Sequence, residues 1–177
     1  MEFLIDHWLP ILLSTVALWL ASFVAWAVMP HHFGDHRKLP DEDRVRKALE
    51  GVPGGNYMVP YAGSGAVQRS KEYMERYATG PRATVNVYAM PNMGANMGLT
   101  IGYFLVTVIG IAYVTSLACP PGTSTMHLFR VSATIGVLTY ATSGVLHRIW
   151  FKARIWTDLL DGVVYGLILG GIFAALW

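Results

Sequence analysis

The sequence has one cysteine, Cys119, so an internal disulfide is excluded. Charge is scarce too. Only 14% of the 177 residues are Asp, Glu, Lys or Arg, against about a quarter in an ordinary soluble domain. The net charge is +2, and no Lys/Arg cluster is interleaved with aromatics. A nucleic-acid groove is therefore not expected. No Asn-X-Ser/Thr acceptor is present, and the Ala-Leu-Trp ending is not a lipidation box. The Pro53-Gly54-Gly55 stretch lacks the Gly-Lys-Ser/Thr ending of a phosphate loop. Gly-X-Ser-X-Gly, His-Glu-X-X-His and Cys-X-X-Cys are all missing. With no catalytic constellation in view, the chain is not read as an enzyme.

What the sequence has is hydrophobic length. Residues Trp8–Met29 and Met97–Ala118 carry no charge; Leu128–Leu146 carries only Arg130, and Leu159–Trp177 only Asp161. At about 1.5 Å per residue each run matches the ~30 Å hydrocarbon layer of a bilayer. In lipid the backbone must be bonded internally, which favours helices. The expectation is an all-α membrane protein: four transmembrane helices, with one large cytoplasmic loop between the first and second. This divides the chain into 1–29 (outer N-terminus and first helix), 30–96 (the loop) and 97–177 (a three-helix region). The first run contains Ala25-Trp26-Ala27, which mimics a signal-peptide cleavage site. Glu2 and Asp6 precede it in place of Lys or Arg, so a retained anchor is expected. Nine Lys/Arg lie in the first loop, and Arg148, Lys152 and Arg154 lie between the third and fourth runs. Under alternating topology all twelve share one side, which places both termini outside and both basic loops in the cytoplasm.

Small residues recur at intervals of four: Gly94, Gly98 and Gly102 in the second run, and Gly162, Gly166, Gly170 and Ala174 in the fourth. Such stripes let helix backbones approach closely in lipid. They serve packing within the bundle or docking onto another subunit. Within the loop, Asp41–Glu50 and Gly65–Ala78 are expected to be helices. Gly51–Gly65 is read as turns and Ala83–Met90 as an extended segment lacking a partner in view. With few large aliphatic residues, the loop is not expected to fold independently.

Six histidines remain. By topology His31, His32, His36 and His147 share the cytoplasmic face, where a haem or metal site is one reading and interfacial polarity another. Asp35 would then be a ligand or a second-layer acceptor. His7 and His127 fall on the opposite face. Arg130 is expected to pair with Asp6 or Glu2 near the outer interface, and Asp161 with His147, Arg148 or Arg154 near the inner one. No span carries a titratable group at mid-depth, which weighs against an ion-coupled relay. Cys119, beside Pro120-Pro121-Gly122, is read as an inert small residue.

Three elements carry a resemblance: Lys38-Leu39-Pro40-Asp41-Glu42-Asp43, then Gly55-Asn56-Tyr57-Met58-Val59-Pro60, then Gly80-Pro81 before Asn92-Met93-Gly94. Together they resemble a family of uncharacterised bacterial inner-membrane proteins with four spans. Members often have Lys after the first His, where His32 stands here. The resemblance implies the architecture and a bacterial inner membrane, and no activity. On these grounds the leading expectation is a non-catalytic accessory subunit of a larger respiratory or photosynthetic-type complex. Its partners would be other membrane subunits and lipids, with the cofactor unknown. A haem- or metal-binding protein and a small oligomeric transporter are the alternatives.

Overall fold

The structure is a computed structural model and describes residues 2–177. It divides into two compact units. One comprises 2–37 with Met93–Trp177, and the other is Lys38–Asn92.

The first unit is helical. A short helix α1 (Glu2–Asp6) precedes α2 (Trp8–Phe23), which runs on through a wider π turn, Val24–Val28. Pro30 has no N–H to extend the helix, and Met29 before it is extended, as residues preceding proline tend to be. The chain then tightens into a 3-10 turn, Pro30–Gly34. After the second unit come α6 (Met93–Ala118), α7 (Thr125–Thr142), α8 (Val145–Phe151) and α9 (Trp156–Leu176). Helix α6 begins four residues ahead of the apolar run, so Gly94 is already helical.

Three stretches are long and apolar enough to cross a membrane: Trp8–Val28, Met93–Ala118 and Trp156–Leu176, with mean hydropathy 2.1, 1.9 and 2.0. The chain is thus a membrane-spanning protein. The expected third span, Leu128–Leu146, is not one helix. It stops at Thr142, and the Ser143-Gly144 pair breaks the chain into α7 and the short α8. Gly and Ser are weak helix formers, and Gly144 adopts the role of cap for α8.

The tightest pairing is α7 against α9, and the glycines explain it. A methyl group on Gly166 would lie 2.5 Å from the Val137 backbone nitrogen, and one on Gly170 would lie 2.6 Å from Ala133 Cβ. Gly162 faces Ala141 just as closely. The partners descend 141, 137, 133 as the glycines ascend 162, 166, 170, so two antiparallel helices meet at every turn. Helix α2 packs against α6 and α9, closing a core around Leu18, Val108, Leu169 and Phe173, each essentially inaccessible.

The second unit is built on a two-stranded antiparallel sheet. Strand β1 (Gly55–Val59) pairs with β2 (Ala83–Val87), Tyr57 opposite Val85. This corrects the reading of Gly51–Gly65 as turns and supplies the partner that Ala83–Val87 needed. Four of the five β1 residues are exposed, so no apolar alternation marks the strand in the sequence. Helix α3 (Glu42–Ala48) is capped by Asp41, whose carboxylate accepts from the Arg44 N–H at 3.1 Å. The expected helix Gly65–Ala78 is two helices, α4 (Gly65–Gln68) and α5 (Lys71–Thr79). Ser70 divides them, because its hydroxyl caps the Tyr73 N–H at 3.2 Å and starts a new helix.

Candidate functional site

Where the 3-10 turn meets the first turns of α9, the bundle buries a polar cluster. Successive residues on a 3-10 turn point about 120° apart. His31 and His32 nevertheless both reach one carboxylate, because Asp161 presents an oxygen to each. His31 Nε2 lies 2.9 Å from Asp161 Oδ1, and His32 Nε2 lies 2.9 Å from Asp161 Oδ2. On its other side His32 Nδ1 contacts Asp35 Oδ2 at 2.6 Å. Asp35 is itself held: Thr157 Oγ1 donates to both its oxygens at 3.3 Å, and Arg154 Nη1 lies 3.8 Å away. Tyr165 donates to Asp161 from one turn further along α9, at 3.5 Å. Trp26 on the π turn stacks on the His32 ring, centroids 3.9 Å apart.

The local folding logic is simple. Pro30 ends the π turn and forces the tight turn that carries both imidazoles. Asp35 caps that turn, its N–H bonding to the His32 carbonyl. Thr157 and Asp161 are four apart, on one face of α9. Asp161 is 8% exposed and His32 6%, so both need partners where water is scarce. Burial opposes charge on His32, but its hydrogen bonds to Asp161 and Asp35 outweigh that and hold its pKa above the ordinary value. Burial likewise opposes charge on Asp35, yet His32, Thr157 and Arg154 together hold its carboxyl below the usual range.

Three ligand atoms, one each from His31, His32 and Asp161, lie within 4.8 Å of one another. Donors about 2.0–2.2 Å from a shared tetrahedral ion sit roughly 3.4 Å apart, so small side-chain rotations suffice to seat one. Asp35 would then stand behind His32 as the carboxylate that orients a ligating histidine. His31 Nδ1 is buried and has no hydrogen-bond partner, while its Nε2–H donates to Asp161.

Of the four expected histidines, the structure brings together His31 and His32; Asp35, expected as a ligand or a second-layer acceptor, contacts His32 Nδ1. His36 is exposed and outside the cluster. His147 is exposed and stacks on Phe151 at 4.5 Å. The expected ion pairs are corrected. Arg148 pairs with Asp158, not Asp161, and also donates to the Arg154 carbonyl at 2.6 Å. Asp158 lies nearly a turn earlier on α9, level with α8, while Asp161 faces the histidines. Arg130 is exposed and, among the described residues, forms no ion pair with Asp6; a long side chain near a span end reaches polar surroundings unaided. Gly98 and Gly102 of the expected α6 stripe have nothing within 4 Å, unlike the α9 glycines. Ala174 packs against the core cluster. Sequence reasoning missed that Asp161 belongs with the histidines. Its signal was a buried-side carboxylate on an apolar helix, but no local spacing links residues 129 apart.

No family model matches the chain, and neither a curated protein nor a solved structure matches it.

Proposed function

We propose that this is a membrane protein that binds a first-row divalent transition metal through His31, His32 and Asp161. The observation that carries the reading is the convergence of both Nε2 atoms on the two oxygens of one buried carboxylate, with Asp35 fixed behind His32. Two imidazoles and a carboxylate suit zinc, iron(II) or manganese; the lack of a thiolate or thioether in the set disfavours copper(I). Ring centroids of His31 and His32 are only 4.3 Å apart, which leaves no room for a porphyrin between them. The reading is of binding, and no residue is assigned a catalytic role.

The topology we propose counts α7 as a fourth crossing, with its 18 residues spanning about 27 Å. The Lys/Arg distribution supports it, because four crossings put twelve of the thirteen basic residues on one face. The cluster then lies at the cytoplasmic end of the bundle. The sequence resemblance supports a bacterial inner membrane.

Metal analysis of protein purified without added chelator, followed by zinc and iron(II) titration of stripped protein, tests the reading. One ion per chain is expected, with affinity reduced about 10–100-fold or more in Asp161→Asn. His36→Ala should bind as the wild type does. If Asp161→Asn and the wild type retain the same metal, the cluster is a salt-bridged anchor and the proposal fails.

A second reading is favoured by one observation. The Gly98/Gly102 face of α6 is open and apolar, fitting an accessory subunit that docks this helix onto another membrane protein. Comigration with a large complex on native gels in mild detergent, lost in Gly98→Leu/Gly102→Leu, is its expected result.

A further inference from the structure

Beside the polar cluster, and sharing Trp26, Asp161 and Tyr165 with it, a cleft of about 550 Å³ opens between the π turn, α6, the end of α7, α8 and α9. It exists because α7 stops at Thr142 and α8 diverges, while Gly144 offers no side chain to fill the gap. One wall is aromatic, formed by Trp26, Tyr103, Phe104, Tyr140 and Tyr165. Tyr140 and Tyr165 meet edge-to-face at 6.0 Å, and Tyr103, half exposed, stands at the rim. Ser143, His147, Arg148, Asp158 and Asp161 supply the polar side. Tyr140 Oη shares a hydrogen bond with Thr107 at 2.9 Å, Tyr165 Oη donates to Asp161, and Arg148 pairs with Asp158. Each tyrosine hydroxyl keeps a lone pair to accept a further bond, Tyr165 having given its proton to Asp161.

We infer that this cleft binds a lipid-soluble molecule whose head is a planar ring carrying oxygen substituents, of the quinone or phenol type. Aromatic walls with a few convergent polar atoms are the usual lining of a small-molecule site between helices. Ring faces and edges match ring ligands through offset or edge-to-face packing. A plain acyl chain would leave the tyrosine hydroxyls and carboxylates unused. An organic cation has no net charge to meet, because Asp158 is matched by Arg148 and Asp161 by the two histidines. A phosphorylated ligand would find one guanidinium, already paired. The inference stands on the cleft alone and does not need a bound metal.

The test is quenching of tryptophan fluorescence in the full chain, in detergent, after chelator treatment. The probes are decylubiquinone, its quinol and 4-decylphenol, with 1-decanol as the ringless control. At least one ring probe should bind saturably, one per chain. Binding should weaken about fivefold in Tyr103→Ala, the worth of one aromatic contact. Ser143→Phe, at an exposed position on the rim, should abolish it. Both variants are checked for an unchanged melting curve, and Tyr113→Ala, on α6 outside the cleft, should bind normally. Equal competition by 1-decanol overturns the inference, as does quenching that is linear with probe and unchanged in both rim variants. Ring binding without metal binding would leave this inference standing while the metal reading falls.

Discussion

Helices α6 and α9 carry the same device and use it differently. Both are apolar along their length, with mean hydropathy 1.9 and 2.0, and both place glycine at every fourth position. On α9 the glycines are closed against Ala133, Val137 and Ala141. On α6 Gly98 and Gly102 face open space. A stripe of small residues therefore permits close approach without causing it. What draws α9 in is a facing helix with its own small residues in register, together with a polar anchor at its start, where Asp161 is gripped by His31 and His32.

The largest expected effect comes from breaking the closed stripe. Gly166→Leu has nowhere to go, because its Cβ alone would meet the Val137 backbone nitrogen. A loss of more than about 3 kcal/mol is expected from such overpacking against backbone. Thermal melting in detergent would show the variant aggregating well below the wild type; a wild-type melt would mean that α7 and α9 do not close on each other.

The polar anchor makes a smaller and pH-dependent contribution. The folded pKa of His32 is raised above 6.5, so its contribution is complete below 6.5 and lost as pH rises through the raised value. The folded pKa of Asp35 is lowered from 3.8, so its contribution is complete above 3.8 and lost as pH falls through the lowered value. His31, Asp161, Thr157 and Arg154 surround the pair. Metal-free protein should accordingly melt highest between about pH 4 and 6.5 and lose stability towards alkaline pH. His32→Gln should flatten the alkaline side of the profile. An unchanged profile in that variant would remove His32 as the anchor.

The smallest effect is expected on α6. Gly102→Leu adds a side chain into open space and should leave the melting curve of the isolated chain within about 0.5 kcal/mol of the wild type. A large destabilisation there would show that α6 is closed within the chain and end the contrast with α9.

Much of this was legible before any coordinates. Scarce charge and long apolar runs placed the chain in a membrane, because backbone burial in lipid leaves few alternatives to helices. The helix expected over Asp41–Glu50 is found as α3 (Glu42–Ala48), since start and stop signals act over a few residues. Asp35 could be placed behind a histidine, since they lie within one turn. Strand β1 was hidden because its residues are exposed and show no alternation. The split at Ser70 was hidden because a serine reads equally well as an interior residue or a cap. The grip of His31 and His32 on Asp161 was hidden because nothing local connects the first loop to the last helix.

The sequence alone determined that the chain has runs long and apolar enough to cross lipid, which helix faces are small enough for close contact and which residues can carry charge, because these follow from composition and from spacing within a turn or two. Tertiary structure decided which glycine stripe is closed, that Arg148 takes Asp158 and leaves Asp161 to the histidines, and that a cleft opens where α7 stops. Those outcomes depend on the register between helices far apart in the chain. Register is fixed by the packing of whole surfaces, which no short pattern records.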